Sequence, residues 1–335
     1  MFQQLVQWFD AYADAPGVDE DRSRHIEWTR VLPFVLLHVS CLFVLSVGFS
    51  WFAFGLFLAS YLVRLFGITG VYHRYFAHRA YRVGRVTQFI LATFGAAATQ
   101  RGPLWWASHH RHHHKVSDED SDPHSPVVNS FMWSHVGWFL ATGNFRSRLE
   151  LIKDFAKFPE LLFLDRFDTV IPILYGATMF FIGYIANILF PELGTSGLQT
   201  LVWGYVISTV FLYHMTFTIN SVSHKESVGS RRYDTTDHSR NVWWLSPFTF
   251  GESWHNNHHH FPASARLGFF WWELDLGYYV IRTMAFLGLA SELKRVPERY
   301  LHPQAATAAQ PPAPDAIAIQ ELGRTPEHGS TQHRG

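Results

Sequence analysis

The sequence predicts an all-α membrane protein: four transmembrane helices in two hairpins, with a cytoplasmic helical cap that holds a histidine-rich dimetal site. Three observations carry this. Charged residues are only 16% of the 335, against about 25% in ordinary soluble chains, while aromatics reach 17%. Four apolar stretches each approach the roughly 20 residues that cross a bilayer. Twelve of the 21 histidines fall into four short knots placed between or after those stretches.

Residues 1–30 read as a cytoplasmic N-terminal segment. Its start sets Phe2, Leu5, Val6, Phe9 and Tyr12 at helical spacing with Asp10 and Asp14 off that stripe, which predicts an amphipathic interfacial helix. It has neither the basic start nor the continuous apolar core of a signal peptide. The main domain, residues 31–302, places transmembrane helices at about 31–49, 51–72, 170–190 and 198–219. Almost nothing separates the first two, and PELGTSG joins the second two, so each pair forms a tight hairpin. Each hairpin returns the chain to its starting side, and all four knots then share one face. Residues 86–99 are too short to span comfortably and predict a buried or re-entrant helix. Residues 269–290 are apolar but carry Glu273, Asp275 and Arg282, which reads as interfacial. The hairpin turns contain no Lys or Arg, whereas the histidine-bearing segments contain many; the positive-inside rule puts the histidines in the cytoplasm. Arg64, near the end of its helix, snorkels to that side or faces protein. Residues 303–335 turn to Ala, Pro, Gln and Gly and predict a disordered tail.

Composition excludes other classes. The formal net charge is zero, so nothing points to nucleic acid. The single cysteine, Cys41, rules out an intrachain disulfide and any all-cysteine zinc or iron–sulfur site.

Histidine spacing carries the chemistry. His110, His113 and His114, and again His255, His258 and His259, stand at i, i+3, i+4, which stacks three rings on one helix face. His73 and His78 are five apart, about 140° around an α-helix, so they converge only where the helix ends or bends. At least nine suitably spaced histidines are too many for one ion and a natural number for two. All-imidazole ligation suits Zn, Cu, Fe or Ni. Zinc cannot change oxidation state; a site beneath apolar, aromatic-rich helices suits oxidation of a long apolar substrate, which favours iron.

The knots HRYFAH (His73–His78), HRHHH (His110–His114), NSVSH (ending at His224) and GESWHNNHHHFP, interleaved with two hairpins, resemble the histidine boxes of the membrane fatty acid desaturases, stearoyl-CoA (delta-9 acyl) type, over roughly residues 30–285. The resemblance implies one iron held by His73, His78, His110, His114 and His258. It implies a second held by His113, His224, His255 and His259, with Asn220 orienting a water. Trp106 and Thr216 match positions that bend the acyl chain, although Trp105 stands beside the first. His109, His112 and His260 fall outside the ligand pattern and read as structural or as supports behind the ligands, and His124 matches a motif position that is not a ligand but supports the ligands from behind. Asp122 and Glu252, each near a box, are candidates to fix ring tautomers; Asp118 reads as a solvated loop acid. His38 and His214 read as hydrogen-bonded helix histidines. The implied reaction is O2-dependent cis desaturation of an acyl chain carried by CoA or lipid. The electrons come from an external donor of ferredoxin or cytochrome b5 type with its reductase, since the chain has no haem motif, flavin fingerprint or cysteine cluster.

Animal acyl-CoA members carry an Arg-Asp pair before the second box, where this chain has Ser108 and His109; GPLWWASHHRHHH, HSRNVWWL and SARLG are closer to bacterial members. The implied place is therefore a bacterial inner membrane, or the endoplasmic reticulum if the source is eukaryotic. Two other readings compete: a histidine-box membrane hydroxylase, which would use the same irons, and a metal-transport protein. The second would place its ligands within the spans, whereas these boxes lie beyond the helix ends.

Overall fold

The computed structural model describes residues 5–13 and 24–302. The regular elements among them are helical, joined by isolated bridges such as Arg82 with Ser291. In chain order the principal helices are α1 (Trp28–Val47), α2 (Trp51–Ala77), α3 (Arg85–Ala96), α4 (Pro103–Val116), α5 (Pro159–Arg166), α6 (Val170–Leu189), α7 (Gly197–Val222), α8 (His255–His260) and α9 (Leu276–Phe286). Among the described residues, α1, α2, α6 and α7 are the four long and apolar enough to cross a membrane. A separate compact unit begins at Val296, and its described part holds a short helix, Glu298–Leu301. The expected tail, 303–335, lies outside the described residues; of the expected N-terminal amphipathic helix, residues 5–13 are described, with Leu5 and Val6 helical and turns after them. In the described part of that segment, Tyr12 donates from its hydroxyl to Asp165 Oδ2 at 2.8 Å.

Local chemistry sets the helix ends. Ser50 caps α2 by accepting from the Ala53 N–H, Ser196 caps α7 by accepting from Gln199, and Pro103 sits in the first turn of α4; each relieves backbone donors that have no partner in a first turn. Between α1 and α2 the chain reverses at Gly48, whose φ of +68° is a region that L side chains rarely adopt. Gly183 lets α6 close on α7: a Cβ there would lie 2.0 Å from Thr200 Oγ1, which itself donates to Met179 O at 2.7 Å. Gln199 Nε2 donates to Val47 O at 2.9 Å and its Oε1 accepts from Ser50 at 2.7 Å, so one side chain ties the α1–α2 turn to the start of α7. The outward faces are apolar, with Leu36, Leu45, Leu174, Phe181 and Ile188 exposed, which is what lipid contact asks of them. Of its two expected positions, Arg64 takes the protein-facing one. It is fully buried and donates to Thr209 Oγ1, Ser208 Oγ and Ala97 O.

Two differences from the sequence expectations matter for the site. Helix α2 runs past residue 72 to Ala77, and from Gly67 onward it widens into a π-helix. The His78 N–H reaches the His73 carbonyl at 3.1 Å, the i→i+5 pattern of that wider turn. Five residues then make little more than one turn, and the helix ends at Ala77 with His78 as its C-cap, so the two rings converge at a helix terminus, as their spacing requires. In the stretch 269–290, the acids expected at an interface turn inward. Glu273 and Asp275 are buried and paired with Arg232 and Arg74. Helix α3 is short, with Leu91 and Gly95 inward and Val86, Ile90 and Phe94 exposed.

Candidate metal centre

Four elements bring their histidines together. The end of α2 gives His73 and His78, α4 gives His110, His113 and His114, the turn after α7 gives His224, and α8 gives His255, His258 and His259. Their ring nitrogens sort into two groups, each with its ligand-capable atoms within 4.8 Å of one another: His73, His78, His110, His114 and His258 in one, His113, His224, His255 and His259 in the other. In the first, Nε2 faces Nε2 at 2.8 Å between His78 and His110, 3.0 Å between His110 and His114, 2.8 Å between His114 and His258, and 3.0 Å between His258 and His73. In the second, His224 and His255 meet Nε2 to Nε2 at 2.9 Å. The groups adjoin where the His114 and His259 rings stack, 4.5 Å apart.

Carboxylates fix several of these rings. Asp122 Oδ2 accepts a hydrogen bond from His113 Nδ1 at 2.9 Å, Asp118 Oδ2 from His224 Nδ1 at 2.9 Å, and Asp237 Oδ2 from His259 Nδ1 at 2.5 Å, while Glu252 Oε2 faces His73 Nδ1. A carboxylate accepts only, so His113, His224 and His259 donate from Nδ1 and turn a bare Nε2 lone pair inward. The His259 Nε2 is buried with no hydrogen-bond partner. Lone pairs packed this densely repel unless they share a cation, so the nitrogen-only cage fits metal ions.

The electrostatics agree. Burial first, and then the neighbouring rings, push His78, His110, His114, His255 and His258 well below the usual imidazole value. Burial lowers His259 to about 4 although Asp237 opposes it. These rings are neutral near pH 7, the form that ligates. Burial acts on His113 in the same direction, but Asp122 outweighs it and raises this ring.

Two of the four acids were not expected there. Asp118, read from the sequence as a solvated loop acid, is almost wholly buried and also accepts from the Ser125 hydroxyl and the His238 N–H. It takes φ +61°, turning the chain back across the end of α4 and aiming the carboxylate at His224. Asp237 lies in RRYDTTDHS, a stretch with no metal-ligand spacing, and only the fold carries it to His259. Replacing Asp237 by alanine will weaken metal binding by the second group about 10- to 100-fold and leave the first group loaded. A chelator-competition titration measures this, and unchanged affinity contradicts it.

The other candidates are placed as follows. His124 packs over His113, ring centroids 4.3 Å apart, outside the two all-histidine groups but in a third close set of possible ligand atoms with His113 and Asp122. Trp106 stacks on His110 at 5.1 Å. Trp105 is spent elsewhere, donating to Asn144 O and stacking on Trp138. Thr216 accepts from Gln100 Nε2 at 2.8 Å. His109 bonds to Arg146 O, and His260 stacks on Tyr233. His38 and His214 bond to each other, and His214 also bonds to His135. A cavity of about 490 Å³ runs from α1 to the first histidine group, lined by Phe34, Trp106, His110, Thr216, Phe217 and Asn220 among others. Its size and largely apolar walls suit a drug-sized or lipid-like ligand.

The profile of the fatty acid desaturase family matches residues 49–290. The chain is 37% identical over 272 residues to the sn-1 stearoyl-lipid 9-desaturase of Anabaena variabilis, covering 80% of this chain and 94% of that one. It is 36% identical to the Delta-9 acyl-lipid desaturase 1 of Arabidopsis thaliana, with 82% and 86% covered. It is also 36% identical to an acyl-CoA 5-desaturase of Anemone leveillei, with 82% and 84% covered.

Proposed function

This chain belongs to the fatty acid desaturase family and is a membrane oxidoreductase that desaturates fatty acyl chains; from that premise we propose that it introduces a cis delta-9 double bond into a saturated acyl group held in a membrane lipid, using two irons. The observation that carries this is the adjacency of the two-group histidine cage and the cavity, which share His110. The first iron would be held by His73, His78, His110, His114 and His258, the second by His113, His224, His255 and His259, with Asn220 orienting a water. Bound there, the irons supply the activation of O2 that removes two hydrogens from neighbouring methylenes, giving an alkene and water.

The protein's own part is positional. The apolar cavity strips water from the acyl chain and lays it beneath His110, while Trp106 and Thr216 shape its course. Asp118, Asp122, Asp237 and Glu252 hold the rings in one tautomer. The two electrons come from an external donor, ferredoxin or cytochrome b5 with its reductase. The four long helices pair as two hairpins, and the cage faces the cytoplasm under a helical cap. Residues 31–302 form the desaturase domain, preceded by an N-terminal segment and followed by a tail.

Two relatives named for acyl-lipid substrates support the lipid carrier. So does the use of Ser108 and His109 for internal bonds, to Trp105 O and Arg146 O, at the positions where animal acyl-CoA members carry the Arg-Asp pair. The relative named for acyl-CoA keeps CoA as the second reading. The test supplies purified, iron-loaded protein with stearoyl lipid in nanodiscs or with stearoyl-CoA, under O2 and a reduced donor. Product on the lipid is expected; product only from the CoA ester overturns the carrier assignment.

A further inference from the structure

We propose that a basic cleft over His78 is the docking surface for an acidic one-electron carrier protein; this rests on the di-iron reading above. The cleft, about 510 Å³, is lined by His78, Arg79, Arg82, Arg111, Lys157 and Lys294 among others. It shares no lining residue with the acyl cavity. His78 belongs to the first histidine group, its Nε2 2.8 Å from that of His110. One side chain therefore separates the occupant of this cleft from the metal cage.

The charge of the cleft selects its partner. Five cations line it against two carboxylates, Asp154 and Glu292, and both acids are already engaged. Arg111 holds Asp154 through bonds of 2.8 and 3.0 Å with Arg79 at 3.6 Å, and Arg82 holds Glu292 at 3.0 Å. Lys157 and Lys294 are exposed and have no carboxylate within ion-pair distance among the described residues. The wall is fixed in place. Arg79 sits at φ +51° directly after His78, a conformation that a long side chain keeps only where its surroundings enforce it. The Lys294 N–H donates to Ala80 O at 2.9 Å beside the Arg82–Ser291 bridge. Such a surface steers an acidic protein and loses that steering as salt rises. A lipid headgroup explains the cations but not their placement over a cage histidine and apart from the acyl cavity. The electron balance requires the partner. Two reduced carriers each give one electron, and these with two protons, the O2 and two substrate hydrogens make two waters and one double bond.

The test titrates full-length protein in nanodiscs with a plant-type [2Fe–2S] ferredoxin and, in parallel, with cytochrome b5, across a salt series. It compares wild type, the Lys157→Glu/Lys294→Glu double variant, and Lys225→Glu beside the second group. The double variant is expected to bind the carrier about tenfold or more weakly at low salt and to flatten the salt dependence. Its iron content, and its double bonds per chain in a single turnover after dithionite reduction, stay at the wild-type level. Two results overturn the proposal: cleft-independent binding of both carriers, or a larger effect of Lys225→Glu. If dithionite-reduced wild type makes no double bond, the desaturase reading fails separately, and the carrier titration still decides the cleft.

Discussion

Replacing His258 with alanine will abolish desaturation and remove one of the two metal ions. Its Nε2 lies 3.0 Å from that of His73 and 2.8 Å from that of His114, so it joins the α2 side of the cage to the α4 side. It is fully buried in the six-residue helix His255–His260, where His255 and His259 serve the other group. Alanine keeps that helix, because its propensity is the best of all residues, but opens the cage on the side where three elements meet. The metal count should fall from two to one per chain and product should vanish, since neither ion alone completes the site. Metal analysis of the purified variant measures this. Two ions retained with normal activity would show that His258 is a packing residue.

The second large effect belongs to Arg74. Its fully buried guanidinium donates to Glu252 Oε1 at 3.0 Å, Asp275 Oδ1 at 2.9 Å, Phe250 O at 3.0 Å and Ala265 O at 3.1 Å. It thereby clamps α2 to the loops on either side of α8. Arg74→Ala leaves Glu252 and Asp275 buried without their counter-charge, a change that costs about 3–5 kcal/mol where a buried pair is broken from one side. Arg74→Lys restores the charge without the forked donors and should recover only part of the loss. Because Glu252 also orients His73, Arg74→Ala is expected to lower both the thermal unfolding midpoint and metal retention by the first group. Unaltered unfolding and full metal content would remove Arg74 from the account.

The sequence made the spans and six of the nine histidines legible because both signals are local, while His224 entered through the family resemblance. Apolar length reports bilayer crossing directly, and the i, i+3, i+4 spacing on α4 and α8 reports ring alignment directly. What stayed hidden depends on contacts between distant segments or on backbone geometry. The i, i+5 pair His73 and His78 looks divergent on an α-helix, and the π-helical winding of Gly67–Ala77 together with the helix end just before His78 aligns it. Asp237 sits 22 residues from His259 in the chain, with no spacing rule to connect them. Asp118 resembles any acid in a polar loop until its backbone turns it under His224. Glu273 and Asp275 read as interfacial because their partners, Arg232 and Arg74, are 41 and 201 residues away.

Gas chromatography with mass spectrometry of total fatty acids tests the central claim most directly, using an aerobic host that expresses this chain beside one that expresses the His113→Ala variant. The account predicts a new cis-monounsaturated acid with its double bond at delta-9 in the first host and none in the second. Hydroxy acids in place of the alkene, or equal amounts of alkene from both hosts, would contradict it.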